Sequence, residues 1–293
     1  MPLSSATVGT SGDFFVHDID VRWTMAYAAG LGDILPCYLD TQRPKGVVAH
    51  PLFPVCFEWP ILVAMQGDER NVSLTEDERL RGVHATHDLI LHRIVRAGDS
   101  LITRATVVGV ERRKPGAYRV IRLDTTDVAG APVCTTWYGT LYRGVDVEGP
   151  DCPVGGAPAP PGPVENSVQI RAEVPVPISA LAAHVYTECA RIWNPIHTDT
   201  AIAARAGLPG LILHGTATLA LAVSRVLQVE ADNDPERVRQ IAGRFGAMVR
   251  MPSEITVRIL SRRATPEGDI VRFEVRNGEG GPAVRDGLVA LRT

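Results

Sequence analysis

Cysteine is sparse and unpatterned in this chain. Five occur in 293 residues, at Cys37, Cys56, Cys134, Cys152 and Cys189, without a CxxC pair. An odd, scattered set argues against a disulfide framework and suits reduced thiols in a cytosol. An excess of one charge sign is also lacking. Lys plus Arg number 30 and Asp plus Glu 33, dispersed along the chain, for a net charge of −3. Nothing in that balance points to nucleic acid. No apolar run is long enough to span a bilayer, so no membrane association is expected. The opening Met1-Pro2-Leu3-Ser4-Ser5 has neither the basic nor the apolar region of a secretion signal, which predicts a cytoplasmic protein. What is present is apolar residues, 45% of the chain, enough for one large core or two small ones.

The segment up to Asp13 is small and polar and is expected to fray. Val21 to Leu31 reads as a helix ended by Gly30 and Gly32. Leu35 to Pro60 is rich in proline and aromatics and carries no assignment. Ile61 to Met65 reads as the body of a helix whose first turn is irregular, because Pro54 and Pro60 fit only near a helix start. Strand-like text follows at Gly82 to His92 and Asp99 to Arg113. Tyr118 to Asp127 and Pro132 to Tyr142 flank Val128-Ala129-Gly130 as a hairpin. Glu148 through Pro163 is saturated with Pro and Gly and reads as a semi-extended, exposed linker.

The order then repeats. Ile178 to Ile192 is helical in character, and Thr216 to Leu227 is a helix apolar nearly all round, which must be buried on most sides. Glu230 to Arg239 reads as a connection. Ile255, Val257 and Ile259 alternate with polar residues as a strand, and Asp269 to Arg276 with Ala283 to Leu291 form a closing hairpin. Val48 to Val55 sits at a constant offset from Leu208 to Gly215, which points to an internal duplication. The expected division is residues 1–147, a linker at 148–166, and residues 167–293. The expected fold class is α+β, each half a helix wrapped by a curved antiparallel sheet.

The second half carries Asn194-Pro195-Ile196-His197-Thr198-Asp199, followed seventeen residues after His197 by His214-Gly215-Thr216. A turn there brings an amide and an imidazole together. Gly215 stands at the mouth of the apolar helix, where a backbone N–H backed by the helix dipole suits a developing oxyanion. An acid/base beside an oxyanion donor is what enolate chemistry on a thioester needs.

This stretch resembles the hydratase motif of the MaoC-like, (R)-specific enoyl-CoA hydratase family (hydratase 2). That motif runs from a tyrosine through a small-residue pair ending in Gly to Asp-x-Asn-Pro-x-His. Here it stands as Tyr186 to His197, and Leu213-His214-Gly215-Thr216 matches the family's helix entrance. The resemblance implies a double hot-dog and a hydro-lyase acting on an α,β-unsaturated or 3-hydroxyacyl thioester. The substrate is then an acyl-CoA or a carrier-bound chain, with CoA as part of the substrate and no separate cofactor. His197 moves the proton, Asn194 orients water, and Gly215 with Thr216 receives the thioester oxygen. The departure is Arg191-Ile192 in place of Gly-Asp, because isoleucine cannot activate water.

Glu188, four residues before Ile192, is the candidate replacement acid if the segment is helical, against a plain solvated glutamate. Arg191 is a candidate anion contact, against an arginine facing solvent. His197 and Asp199 are too few ligands for a metal, and Asp199 reads as the cap of the helix Thr200 to Ala206. Tyr186 and Trp193 read as channel walls or core aromatics. His84 and His87, three apart on a strand, are expected on opposite faces. The first half lacks the Asn and His pair and should supply a sheet edge and walls. Thioester hydrolysis using Glu188, and acyl binding without catalysis, stand as alternatives. The duplication already pairs two halves, which leaves monomer and homodimer both open. With His197 as base, activity is expected to fall as it protonates, across about pH 5 to 8.

Overall fold

A computed structural model describes residues 1–67, 74–158 and 170–293. Residues 159–166 of the Pro/Gly-rich linker and the three that follow lie outside the described residues. In the first half, β1 (Leu3–Ser4) and β2 (Ser11–Asp18) precede helices α1 (Val21–Gly30), α2 (Pro36–Leu39), α3 (Pro54–Gly67) and α4 (Glu76–Leu80). Strands β3 (Gly82–Leu91), β4 (Ser100–Arg113), β5 (Gly116–Asp127), β6 (Pro132–Arg143) and β7 (Val147–Glu148) follow. The second half runs β8 (Ala172–Ile178), α5 (Ala182–Ala190), α6 (Thr200–Arg205) and α7 (Gly215–Glu230). It closes with β9 (Val238–Phe245), β10 (Ser253–Thr265), β11 (Gly268–Arg276) and β12 (Pro282–Leu291).

Among the described residues the large sheet has ten strands in the order β2-β4-β5-β6-β3-β9-β12-β11-β10-β8, every neighbouring pair antiparallel. Its two five-strand halves share one topology and join where β3 pairs with β9, from Thr86 opposite Arg244 to Ile90 opposite Gln240. Each half is a helix held in a curved sheet, and together they are a double hot-dog. Helix α7 is apolar over its first three turns because these are enclosed: Thr216 through Ser224, Val226 and Leu227 are buried, while Gln228 and Val229 of the last turn are exposed. Phe53 and, from the first turn of α3, Val55, Cys56 and Phe57 share that core, while Ile61, Leu62 and Met65 pack into a separate first-half core. The entry to α3 is tight, with Val55 and Cys56 N–H bonded three residues back to Leu52 and Phe53. Pro60, expected near the helix start, lies inside a helix that begins six residues earlier.

Helices α1 and α5 pack at Gly30, where an added Cβ would lie 2.8 Å from Cys189 Cβ. Tyr27 and Tyr186 meet beside them, ring centroids 5.8 Å apart. A buried polar clasp also crosses the halves. Ser224 Oγ donates to Asp33 Oδ2 at 2.6 Å and contacts His50 Nε2 at 3.2 Å, while Leu52 N–H donates to His50 Nδ1 at 3.0 Å. The serine already gives its proton to the carboxylate, so this is a structural network and not a nucleophile with its base.

Several expectations need correction. The amino-terminal segment is ordered into the fold: Leu3 is fully buried, β1 pairs in parallel with β7, and β2 forms an edge strand on β4. Ile178 ends strand β8 and does not begin a helix. Pro175 and Pro177 hid that strand, and they are tolerated because β8 is an edge. Strand β9 replaces part of the expected connection after Glu230. The linker's first residues are exposed but pinned, with Cys152 bridged to Val110 and Asp151 Oδ1 accepting from Arg112 Nη1 at 2.9 Å. His84 and His87 lie on the same face, ring centroids 5.4 Å apart. A register shift between His84 and Thr86 inserts one extra residue into β3, which reverses the alternation.

Candidate active site

Asn194 begins a tight 3-10 turn, Pro195–His197, and its Oδ1 accepts from Ile196 N–H at 3.4 Å. Pro195 suits the first position of such a turn because its fixed φ is already helical. The turn carries His197 inward to 8% exposure. Asp199 ends the segment by accepting from Ala201 and Ile202 N–H, the cap of α6. His197 Nδ1 lies 2.9 Å from the carbonyl oxygen of Ile212. A carbonyl only accepts, so Nδ1 carries the proton and Nε2 is left with a bare lone pair. Burial pushes the imidazole down to about 4, against a smaller opposing effect of the Ile212 carbonyl.

His214 stacks on His197 with ring centroids 3.7 Å apart. Thr187 Oγ1 donates to the Ile192 carbonyl at 3.2 Å and therefore accepts from His214 Nε2 at 3.1 Å. Burial and the neighbouring imidazole hold His214 well below the ordinary histidine range. Two stacked, buried imidazoles are thus both neutral at pH 7. Helix α7 starts at Gly215 with no side-chain cap on its first N–H groups. Those groups have no intrahelical acceptor and sit at the positive end of the dipole. Thr216 is tied back by the Tyr186 hydroxyl, which donates to Thr216 Oγ1 at 3.0 Å. A Cβ on Gly215 would lie 3.0 Å from Phe245, so glycine permits the close approach there. In the first half, Val55 stands at the position matching Gly215, and its N–H is already bonded to the Leu52 carbonyl at 3.3 Å.

One cavity of about 710 Å³ is lined by Asn194, His197, His214, Gly215 and Thr216 together. Trp193, 61% exposed, and Val63 of α3 stand where the cavity meets solvent. The residues therefore converge as the motif resemblance predicts. Residues 165–281 match the family described as MaoC like domain, and residues 6–136 match the FAS1-like, dehydratase domain region. The UPF0336 protein of Saccharopolyspora erythraea is 30% identical over 164 residues, 52% of this chain and 99% of that protein. The chain belongs to the MaoC-like dehydratase family. The probable enoyl-CoA hydratase 2 of Dictyostelium discoideum is 26% identical over 170 residues. That match covers 56% of this chain and 55% of that protein, so the chain spans about half of that relative's length. The solved structure of a MaoC-like dehydratase from Phytophthora capsici superimposes with a TM-score of 0.80 at 19% identity. The likeness covers 98% of this chain and 97% of that one and concerns the fold.

Within this MaoC-like site two expected residues are absent from the cavity wall. Glu188 is exposed on the outer side of α5, with Trp193 Nε1 3.5 Å from its Oε2. The helical face that carries it looks away from the site. Arg191 ends α5 in the left-handed conformation, φ 57°, the place where the family motif has glycine. Its guanidinium turns back onto α1, 3.3 Å from Asp20 Oδ2 and 4.2 Å above the Trp23 ring. It clasps two helices and does not line the cavity. Ile192 is buried in the core and also forms part of the cavity wall.

The first half supplies polar groups that sequence reading passed over. Glu58 of α3 lines the cavity and is 1% exposed. Thr136 donates to its Oε1 at 2.6 Å, while its Oε2 has no hydrogen-bond partner among the described residues. Burial pushes its carboxyl up to about 8. The signal was legible: Glu58 is the single charged residue between Leu52 and Met65. His84 and Tyr138 stack at 3.8 Å and also line the cavity. No cluster of three or more metal-ligating side chains occurs among the described residues, and no described helix is long and apolar enough to cross a membrane.

Proposed function

We propose that the protein is a hydro-lyase, adding water to an α,β-unsaturated acyl thioester or removing it from a 3-hydroxyacyl thioester. The observation that carries this is the pairing, on one cavity, of a bare His197 Nε2 with the uncapped entrance of α7 at Gly215. The thioester oxygen sits at the Gly215 N–H, where negative charge grows as the enolate forms. In dehydration His197 Nε2 takes the proton from C2, the C3–O bond breaks, and the imidazolium gives that proton to the departing hydroxide. In hydration the same steps run backwards. One imidazole thus serves as base and acid in turn, which accommodates Ile192 where the family motif has aspartate. Asn194, whose carbonyl oxygen faces Ile196 N–H, has its amide N–H groups available for the water or hydroxyl. The carrier is CoA or a protein-bound arm, and the site works within one chain.

Hydrolysis of the thioester rested on Glu188, which stands outside the cavity. Acyl binding without turnover is the competing outcome. The test follows loss of enoyl-thioester absorbance with crotonyl-type and longer enoyl-CoAs, beside free-thiol release. Absorbance loss without thiol, abolished in His197→Ala, supports the hydro-lyase. Thiol release, or tight binding without either change, refutes it.

A further inference from the structure

The proposed chemistry occupies one end of the cavity, and the other end is built differently. From Gly215 the wall runs ring to ring into the first half. Phe245 lies against Gly215, its centroid is 4.6 Å from that of His84, and His84 stacks on Tyr138 at 3.8 Å. An acyl chain held by its thioester at Gly215 passes these flat faces and arrives at Tyr138. Tyr138, Thr140 and Tyr142 alternate along β6 on the face turned toward α3. Arg119 of β5 stands in register with Thr140, itself a cavity residue, and shares that face.

Arg119 is fully buried and is not among the residues that line the cavity: it stands behind the wall formed by Tyr138 and Thr140. Its Nη2 donates to the Tyr142 hydroxyl at 2.9 Å, and among the described residues its Nε and Nη1 have no hydrogen-bond partner. No described carboxylate forms an ion pair with it. A guanidinium does not shed its proton, and burying one with two donors unmet is costly. Such a group calls for an explanation, and a negative charge brought to the cavity wall in front of it is a direct one. Glu58 does not neutralise it. The Tyr138 hydroxyl lies within electrostatic reach of both groups, yet Glu58 is driven toward its neutral form by burial and offers an O–H instead of a charge.

We propose that Tyr138 and Glu58, with the charge of Arg119 behind them, form a polar end-stop, and that the substrate is an acyl thioester bearing a carboxylate at the far end of its chain. This rests on the thioester being held at Gly215, as above. The carboxylate brings the negative charge that Arg119 lacks, and the Tyr138 and Glu58 hydroxyls donate to it. A plain hydrocarbon tail leaves Glu58 Oε2 without a partner and the Arg119 charge unanswered.

Calorimetric titration of the full chain with saturated acyl-CoAs tests this without requiring turnover. Each chain length is paired, plain against ω-carboxylated, in the parent and in Arg119→Met. The expected result is at least tenfold tighter binding of the carboxylated partner at one best length. That preference disappears in Arg119→Met while affinity for the plain ligand is kept. Equal affinity at every length in the parent, or a preference that survives the substitution, overturns the proposal. Should Arg119→Met not fold, the parent's length-dependent preference decides alone. A preference with no enoyl-CoA turnover sinks the hydro-lyase and spares the end-stop; turnover without preference does the reverse.

Discussion

Acidification should unfold this protein earlier than its balanced charge suggests. His50, His87 and His197 are buried and held at about 4 instead of 6.5. His84 and His214 are displaced in the same direction. In the unfolded chain these imidazoles bind protons below about pH 6.5, while in the folded chain they do not. Unfolding therefore takes up protons in that window, and stability is lost as pH falls through it. Between pH 7 and pH 5 each of the three costs about 2 kcal/mol. Glu58 works in the opposite sense. Its carboxyl, at about 8 in the fold, holds a proton the unfolded chain gives up, which returns about 2.5 kcal/mol over the same interval. The net loss is roughly 3 kcal/mol from these four groups, and His84 and His214 add to it. For a chain of this size that corresponds to a fall of about 6–12 °C in Tm. Calorimetric melts at constant ionic strength from pH 8 to pH 4.5 measure it. A Tm that is level or rising between pH 7 and pH 5 would refute the burial argument.

His197→Ala should lower kcat/KM for hydration by about 10²–10⁴, with the melting curve little changed. Because burial holds His197 at about 4, the parent's rate should stay level from pH 8 to pH 5 and decline only near 4, not across neutrality as the bare sequence suggests. An acid limb near 6.5 would show that the base titrates in water. Ile192→Asp puts a carboxylate on the cavity wall beside the imidazole and should raise the rate at neutral pH. Unchanged activity in a folded variant would show that this position no longer reaches the reacting atoms. Gly30→Ala drives a methyl into Cys189 and should destabilise the α1–α5 contact by about 1–3 kcal/mol, read by denaturant titration.

The local elements that read well were those with a clean period. The apolar helix at Gly215 and the strands from Gly82 to Arg143 announce themselves by burial on all sides or by alternation. Strands β2, β8 and β9 did not, because edge position permits proline and exposed apolar residues and because tertiary pairing decides short segments. The motif placed Asn194, His197 and Gly215 correctly in one cavity because their turn and helix entrance are local structures. Glu188 and Arg191 could not be placed from spacing: the rotation of α5 and the left-handed residue at its end turn them outward.

By itself, then, the order of residues determined the duplicated hot-dog halves and the imidazole-bearing turn, since both depend on contacts near in the chain. Only the tertiary structure decided what faces that turn. Glu58 and Arg119 are brought toward the cavity by α3 and β5 of the other half, across more than seventy residues of intervening chain. The tautomer and acidity of His197 were likewise decided there, by one carbonyl at Ile212 and by the exclusion of water.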